Sequence, residues 1–193
     1  NGAGQPLNSY LVNCGFKSIR QDTLNAVLAE STAAHTVIVF ASAYMPGAIL
    51  ANGGQSVLRK FLDAGGRVVL PGTNTMIFGI DEKEKRPIAF AIPRADSVLS
   101  IRYGPNDTRS IGGQFSCFPT DKGKYYGLPD FWDASVFLQP SQVSMVLGKN
   151  ENGQVSAFTK NYNNGGRFVQ LYLHPDLPVC IDAVVKLAEW KLE

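Results

Sequence analysis

The chain has 193 residues, 45% of them hydrophobic and 18% charged, which suits a folded domain whose core is large enough to stand without staples. Its 18 Lys and Arg against 16 Asp and Glu leave a net charge of +2 with no basic run, which argues against nucleic acid or an anionic membrane as partner. No apolar run reaches membrane length. The three widely spaced cysteines, Cys14, Cys117 and Cys180, form no Cys-x-x-Cys pair and support neither a disulfide framework nor a zinc site.

Residues 1–19 are polar and glycine-containing, with one apolar patch at Tyr10, Leu11 and Val12. The spacing of Leu24, Val27 and Leu28 predicts a helix over 21–33, entered at Asp22. Residues 36–41, Thr-Val-Ile-Val-Phe-Ala, form a short β-branched run of the kind that marks a strand buried on both faces. After a loop at Pro46-Gly47, a second helix is expected over 54–63, with Val57, Leu58, Phe61 and Leu62 on one face. Ala64-Gly65-Gly66 closes it, because glycine tolerates the left-handed backbone that ends a helix. Arg67–Leu70 is the next buried strand, stopped by Pro71-Gly72. Alternating helices and apolar strands on short loops predict parallel strands joined by crossover helices.

Residues 75–140 differ. Phe115, Phe118, Tyr125, Tyr126, Phe131 and Trp132 fall among many glycines and prolines, and irregular loops with short strands are expected there. Strands return at 143–147, 155–159 and 167–173, separated by turn chemistry at 150–153 and 163–166, which predicts hairpins. A last helix is expected over 177–191, with Ile181, Val184, Val185, Leu187, Ala188 and Trp190 inward.

Two segments carry a resemblance. Phe61–Gly72, Phe-Leu-Asp-Ala-Gly-Gly-Arg-Val-Val-Leu-Pro-Gly, is similar to the helix, glycine pair and strand of the class I glutamine amidotransferase-like superfamily. Residues 158–174, through Asn163-Asn164-Gly165-Gly166-Arg167 to His174, resemble the closing hairpin of trehalose-utilisation (ThuA-like) domains of that superfamily. The resemblance implies one domain over 1–193: an α/β, flavodoxin-like three-layer sandwich with a mostly parallel central sheet. A C-terminal hairpin region and an irregular aromatic-rich insertion at about 75–140 complete it.

In amidotransferases of that superfamily a cysteine on a strand-end turn is served by a histidine that a glutamate orients, since a nucleophile needs a base in reach and the base a fixed tautomer. His174-Pro175-Asp176 stands in the histidine's place, with a carboxylate one methylene shorter. The turn after 67–70 reads Pro71-Gly72-Thr73-Asn74-Thr75 and holds no cysteine, and no Gly-x-Ser-x-Gly or Gly-x-Cys-x-Gly occurs in the chain. Asp176 also suits an N-cap of the last helix, with Pro178 in its first turn. His35, before a strand, reads as structural. The cysteines read as small core residues, with Cys117 the best placed of the three for a nucleophile. Asn52-Gly53-Gly54-Gln55 opens a helix but lacks a nucleotide-binding glycine pattern.

Ligands of open parallel sheets sit beyond the strand C-termini, so Ser42, Tyr44, Gly72, Thr73 and Asn74 are the expected ligand-binding residues. With the nucleophile missing, the leading expectation is a non-catalytic accessory or interaction domain of a larger bacterial protein, more in keeping with a secreted than a cytoplasmic one. Such a domain would take a small-molecule or carbohydrate ligand or serve a fused or associated enzyme domain, with no cofactor, metal, nucleic acid or membrane span. The alternatives are a hydrolase of sugar-derived or amide substrates using His174 and Asp176, and a carbohydrate-binding module using the aromatic insertion, where flat rings can stack on sugars.

Overall fold

The computed structural model describes residues 5–30, 33–41, 45–72, 78–80, 87–89, 93–102, 115–135, 137–173 and 177–189. In chain order the first half contains α1 (Gln5–Asn13), α2 (Gln21–Glu30), β1 (Val37–Val39), β2 (Met45–Pro46), α3 (Val57–Asp63) and β3 (Arg67–Leu70). Then come β4 (Phe78–Ile80), β5 (Pro87–Ala89), α4 (Pro93–Leu99), β6 (Phe115–Pro119), α5 (Asp121–Tyr125) and β7 (Trp132–Ala134). The chain finishes with β8 (Met145–Asn150), β9 (Val155–Asn161), β10 (Arg167–Gln170) and α6 (Pro178–Glu189).

The expected adjacent parallel pair is present. Val37 faces Arg67, Ile38 faces Val68 and Val39 faces Val69 across β1 and β3. The helix between them ends as glycine chemistry requires. Gly66 N donates to Phe61 O and Gly65 N to Leu62 O, with Gly65 at φ +98°, the paired-bond closure that only a left-handed residue allows. Its start differs: Gly53–Gln55 forms a 3-10 turn, and Ser56 Oγ accepts from Arg59 N to cap an α-helix that begins only at Val57.

The sheet class is where the structure departs from expectation. The main sheet has seven strands in the order β1-β3-β10-β9-β8-β6-β7 and curls strongly into a half-barrel. Only β1–β3 and β3–β10 are parallel; β10–β9, β9–β8, β8–β6 and β6–β7 are all antiparallel. The flavodoxin-like, mostly parallel sheet is thus corrected to a mixed α/β architecture dominated by antiparallel pairs. The physical reason lies in the connections. β8, β9 and β10 follow one another through tight turns, which can only join antiparallel neighbours. In the aromatic stretch, β6 and β7 extend that run, while β4 and β5 join β2 in a separate three-stranded sheet.

Burial follows strand alternation. Val68, Leu70 and Phe168 turn to one face, under α2, α3 and α4, with Leu24, Leu28, Leu58, Phe61 and Leu62. Val69, Val169 and Leu171 turn to the other, under α1 and α6, with Leu7, Leu11, Cys180, Val184 and Leu187. Each large aliphatic side chain so buried contributes about 1.5–3 kcal/mol. Pro178 opens α6 as expected, and Cys180, Val184, Leu187 and Ala188 are buried on it, while Trp190 lies outside the described residues.

Candidate functional site

The three parallel strands run in one direction, so the chain leaves β1 at Ala41, β3 at Gly72 and the extension of β10 at Leu173 on a single edge of the sheet. Gly72 is buried, and its carbonyl accepts from Gln170 Nε2 at 2.6 Å. Leu171 N and Leu173 N carry the pairing onward to Leu70 O and Pro71 O. Ser42, Tyr44, Thr73, Asn74, His174 and Asp176 lie outside the described residues, so Gly72 alone of the expected site residues is placed.

Beside that edge stands a pair that sequence reasoning did not single out. Tyr172 has φ +60°, left-handed for a bulky aromatic residue. Its hydroxyl lies 2.6 Å from Ser135 Oγ and accepts from Ser135 N at 3.3 Å. A tyrosine inside an otherwise aliphatic run, Leu171-Tyr172-Leu173, was the available signal.

Among the thiols, Cys14 is exposed while Cys117 and Cys180 are buried. Burial pushes the Cys117 thiol above its usual pKa, Asp133 adds to the rise, and contacts from Ser156 and the Ala134 backbone only partly offset it. That is the reverse of nucleophile activation. Among the described residues no group of three His, Cys, Asp or Glu side chains could hold a metal ion, and no helix is long and apolar enough to cross a membrane.

Two surfaces hold the chemistry that the described residues do offer. The first is the face of β6, β7 and β8 opposite the α6-side core. The register Phe115–Ala134, Ser116–Asp133, Cys117–Trp132 puts Cys117, Trp132 and Ala134 inward and Ser116 and Asp133 outward. Phe118, next after Cys117 in β6, pairs with the exposed Lys149 of β8, and Phe131 directly precedes β7. Phe118 is 42% and Phe131 66% exposed, so two rings lie open to water with Ser116, Asp133 and Lys149 around them. Beneath them the Trp132 indole fills the space over Gly148, where the β8–β9 register shifts.

The second surface is a polar cleft of about 330 Å³ between α3, Ser100 and the end of β9. Arg59 Nε donates to Asp63 Oδ2 at 2.7 Å and its Nη1 to Ser100 Oγ at 2.9 Å, and the guanidinium sits 5.1 Å from the Tyr162 ring centroid. Lys160 Nζ donates to Gln142 O at 2.6 Å. Partial burial, and secondarily the Arg59 charge, hold the Lys160 ammonium below its usual pKa. Sequence reading missed this site because its cations are about a hundred positions apart and form no run.

No curated protein and no solved structure matches the chain. Nothing links it to the class I glutamine amidotransferase-like superfamily, whose parallel sheet it does not share. A family pattern does match, and it covers residues 3–187. The chain therefore belongs to the MJECL34 family.

Proposed function

We propose that the chain is a non-catalytic recognition domain that binds carbohydrate on the open face of β6 and β7. The reading is supported by Phe118 and Phe131, which each lie one residue beyond the last β6–β7 pair, Cys117–Trp132, and are both exposed, with Ser116, Asp133 and Lys149 exposed on β6, β7 and β8. A pyranose presents a C–H face that stacks on a flat ring, and hydroxyls at its rim that suit a carboxylate, a hydroxyl and an ammonium. Single exposed hydrophobics are ordinary on protein surfaces, whereas two exposed rings at the end of one strand pair offer the flat apolar area that a binding surface requires.

The absence of catalysis is supported by the state of the candidate nucleophiles. Cys117 is buried with its thiol held protonated, and the Ser135 hydroxyl is engaged by a phenol, a far weaker base than imidazole.

The test is depletion of the protein by a panel of insoluble polysaccharides, followed by titration with soluble fragments of any that retain it. Trp132 adjoins Phe131 in the chain and reports the titration by fluorescence. Removing both rings, by Phe118→Ala with Phe131→Ala, is expected to weaken binding by about a hundredfold at roughly tenfold per ring. Retention by none of the panel, or retention that the double variant keeps, would overturn the proposal.

A further inference from the structure

We propose that the cleft between α3 and the end of β9 is a separate binding site for an oxyanion, the phosphoryl or carboxylate group of a small molecule, held by Lys160 and Arg59. It is independent of the carbohydrate surface, which lies at the other end of the sheet beyond β8.

The cleft brings two cations together without matching them. Among the described residues that line it, the two cations Arg59 and Lys160 meet a single carboxylate, Asp63. Asp63 answers Arg59 through Oδ2, and its Oδ1 is buried with no hydrogen-bond partner among the described residues. Among the described residues Lys160 has no carboxylate partner; its one contact is the Gln142 carbonyl, a neutral acceptor. A protein that needed Lys160 only for packing would gain nothing from placing its ammonium where burial and Arg59 both disfavour the charge. An anion between the two groups reverses both penalties, because it pairs the charge and replaces lost water with hydrogen bonds.

The donors are also held in place beforehand. Arg59 is fixed by four contacts: Asp63 through Nε, Ser100 and Val98 O through Nη1, and the Tyr162 ring through its face. Tyr162 is anchored in turn by its hydroxyl to Leu99 O. Among the described residues, Nη2 of Arg59 and two of the three Lys160 ammonium protons have no hydrogen-bond acceptor. Donors already oriented lose little entropy on binding. A volume of about 330 Å³ exceeds that of a bare phosphate, so the anionic group would enter with part of a larger molecule attached.

The experiment uses the whole chain. Phosphate and acetate are titrated separately against chloride at equal ionic strength, with the Lys160 side-chain NMR signals and thermal unfolding followed. A saturable response to either oxyanion, shifting Lys160 and raising the unfolding temperature where chloride does not, is expected, and the stronger ligand tells phosphoryl from carboxylate. Lys160→Gln should weaken it about tenfold or more, the worth of one charge-assisted hydrogen bond. Asn163→Asp provides a variant less bound up with packing, since Asn163 lines the cleft on an exposed turn and adds a repelling charge without touching the core. It should weaken binding to a similar degree. A response that chloride reproduces, one that both variants retain, or none up to about 50 mM, well above the millimolar constant expected of two such bonds, would overturn the site.

Discussion

The Tyr172 hydroxyl and the Ser135 Oγ stand 2.6 Å apart and tie the end of β10 to the segment after β7, although those strands occupy opposite parts of the curled sheet. Tyr172 holds this contact from a left-handed backbone, φ +60°, which costs a non-glycine residue about 1–3 kcal/mol unless its surroundings enforce it. The buried ring and the doubly bonded hydroxyl are what enforce it here. Tyr172→Phe keeps the ring but leaves Ser135 N without its acceptor and Ser135 Oγ without its hydrogen-bond partner. It is expected to lower stability by about 1–3 kcal/mol in urea unfolding. Unchanged stability would mean that ring packing alone holds the strained turn.

A second pair explains a glycine. A Cβ on Gly148 would come within 2.1 Å of the Trp132 ring, at Cη2. Gly148→Ala must therefore push the indole aside or distort the β8–β9 bulge, at a cost of about 1–3 kcal/mol. Trp132→Phe removes the benzo ring that the new methyl meets. The double variant should thus be more stable than the sum of the single changes, a coupling readable in a double-mutant cycle. Strict additivity would show that the two positions do not meet.

The glycine at 148 also shows why the sequence was readable in some places and not in others. The closure of α3 at Gly65-Gly66, the turns at 150–153 and 163–166, and the parallel pair β1–β3 each follow from a few neighbouring residues, and all are present. In the 163–166 turn, for instance, Asn164 and Gly165 take positive φ, as a tight hairpin between β9 and β10 demands. What single residues do not encode is how distant strands pair. The apolar run 167–173 is equally compatible with a parallel or an antiparallel neighbour, and β10 has one of each. Cys117 and Trp132 read as members of an irregular insertion because their strands are only five and three residues long, yet their alternation is that of sheet residues. α1 was missed because only Leu7 and Leu11 of its nine residues are buried, one narrow apolar line on an otherwise polar segment. Of the expected site residues, Gly72 sits at the strand-end edge, where a parallel sheet would have it. The Arg59–Lys160 cleft depends on long-range packing that no local motif records.

The thiols should separate by burial. With an aromatic disulfide reagent at neutral pH, Cys14 is expected to react at once in the native protein, while Cys117 and Cys180 react only on unfolding. One thiol per native chain and three in denaturant is the expected count. Fast native reaction of Cys117, tracked by peptide mapping, would contradict its protonated, buried state and reopen it as a nucleophile.

Alkaline stability should carry two opposite signatures. Lys160 has its folded pKa below 10.5, so between the two values the unfolded chain holds a proton that the folded chain has released, and stability rises with pH through that window. Cys117 has its folded pKa above 9.0, so once pH passes 9.0 the unfolded thiol ionises while the folded one does not, and stability falls. Each variant removes one slope. Relative to wild type, Lys160→Met should lose stability progressively as pH climbs toward 10.5, and Cys117→Ala should gain it above 9.0, whatever each costs at neutral pH. Urea unfolding across that range reads both, and Lys160, being only partly buried, should give the shallower trend because solvent screens it. Parallel pH profiles for wild type and Lys160→Met would mean that the ammonium is as well solvated in the cleft as in the open chain.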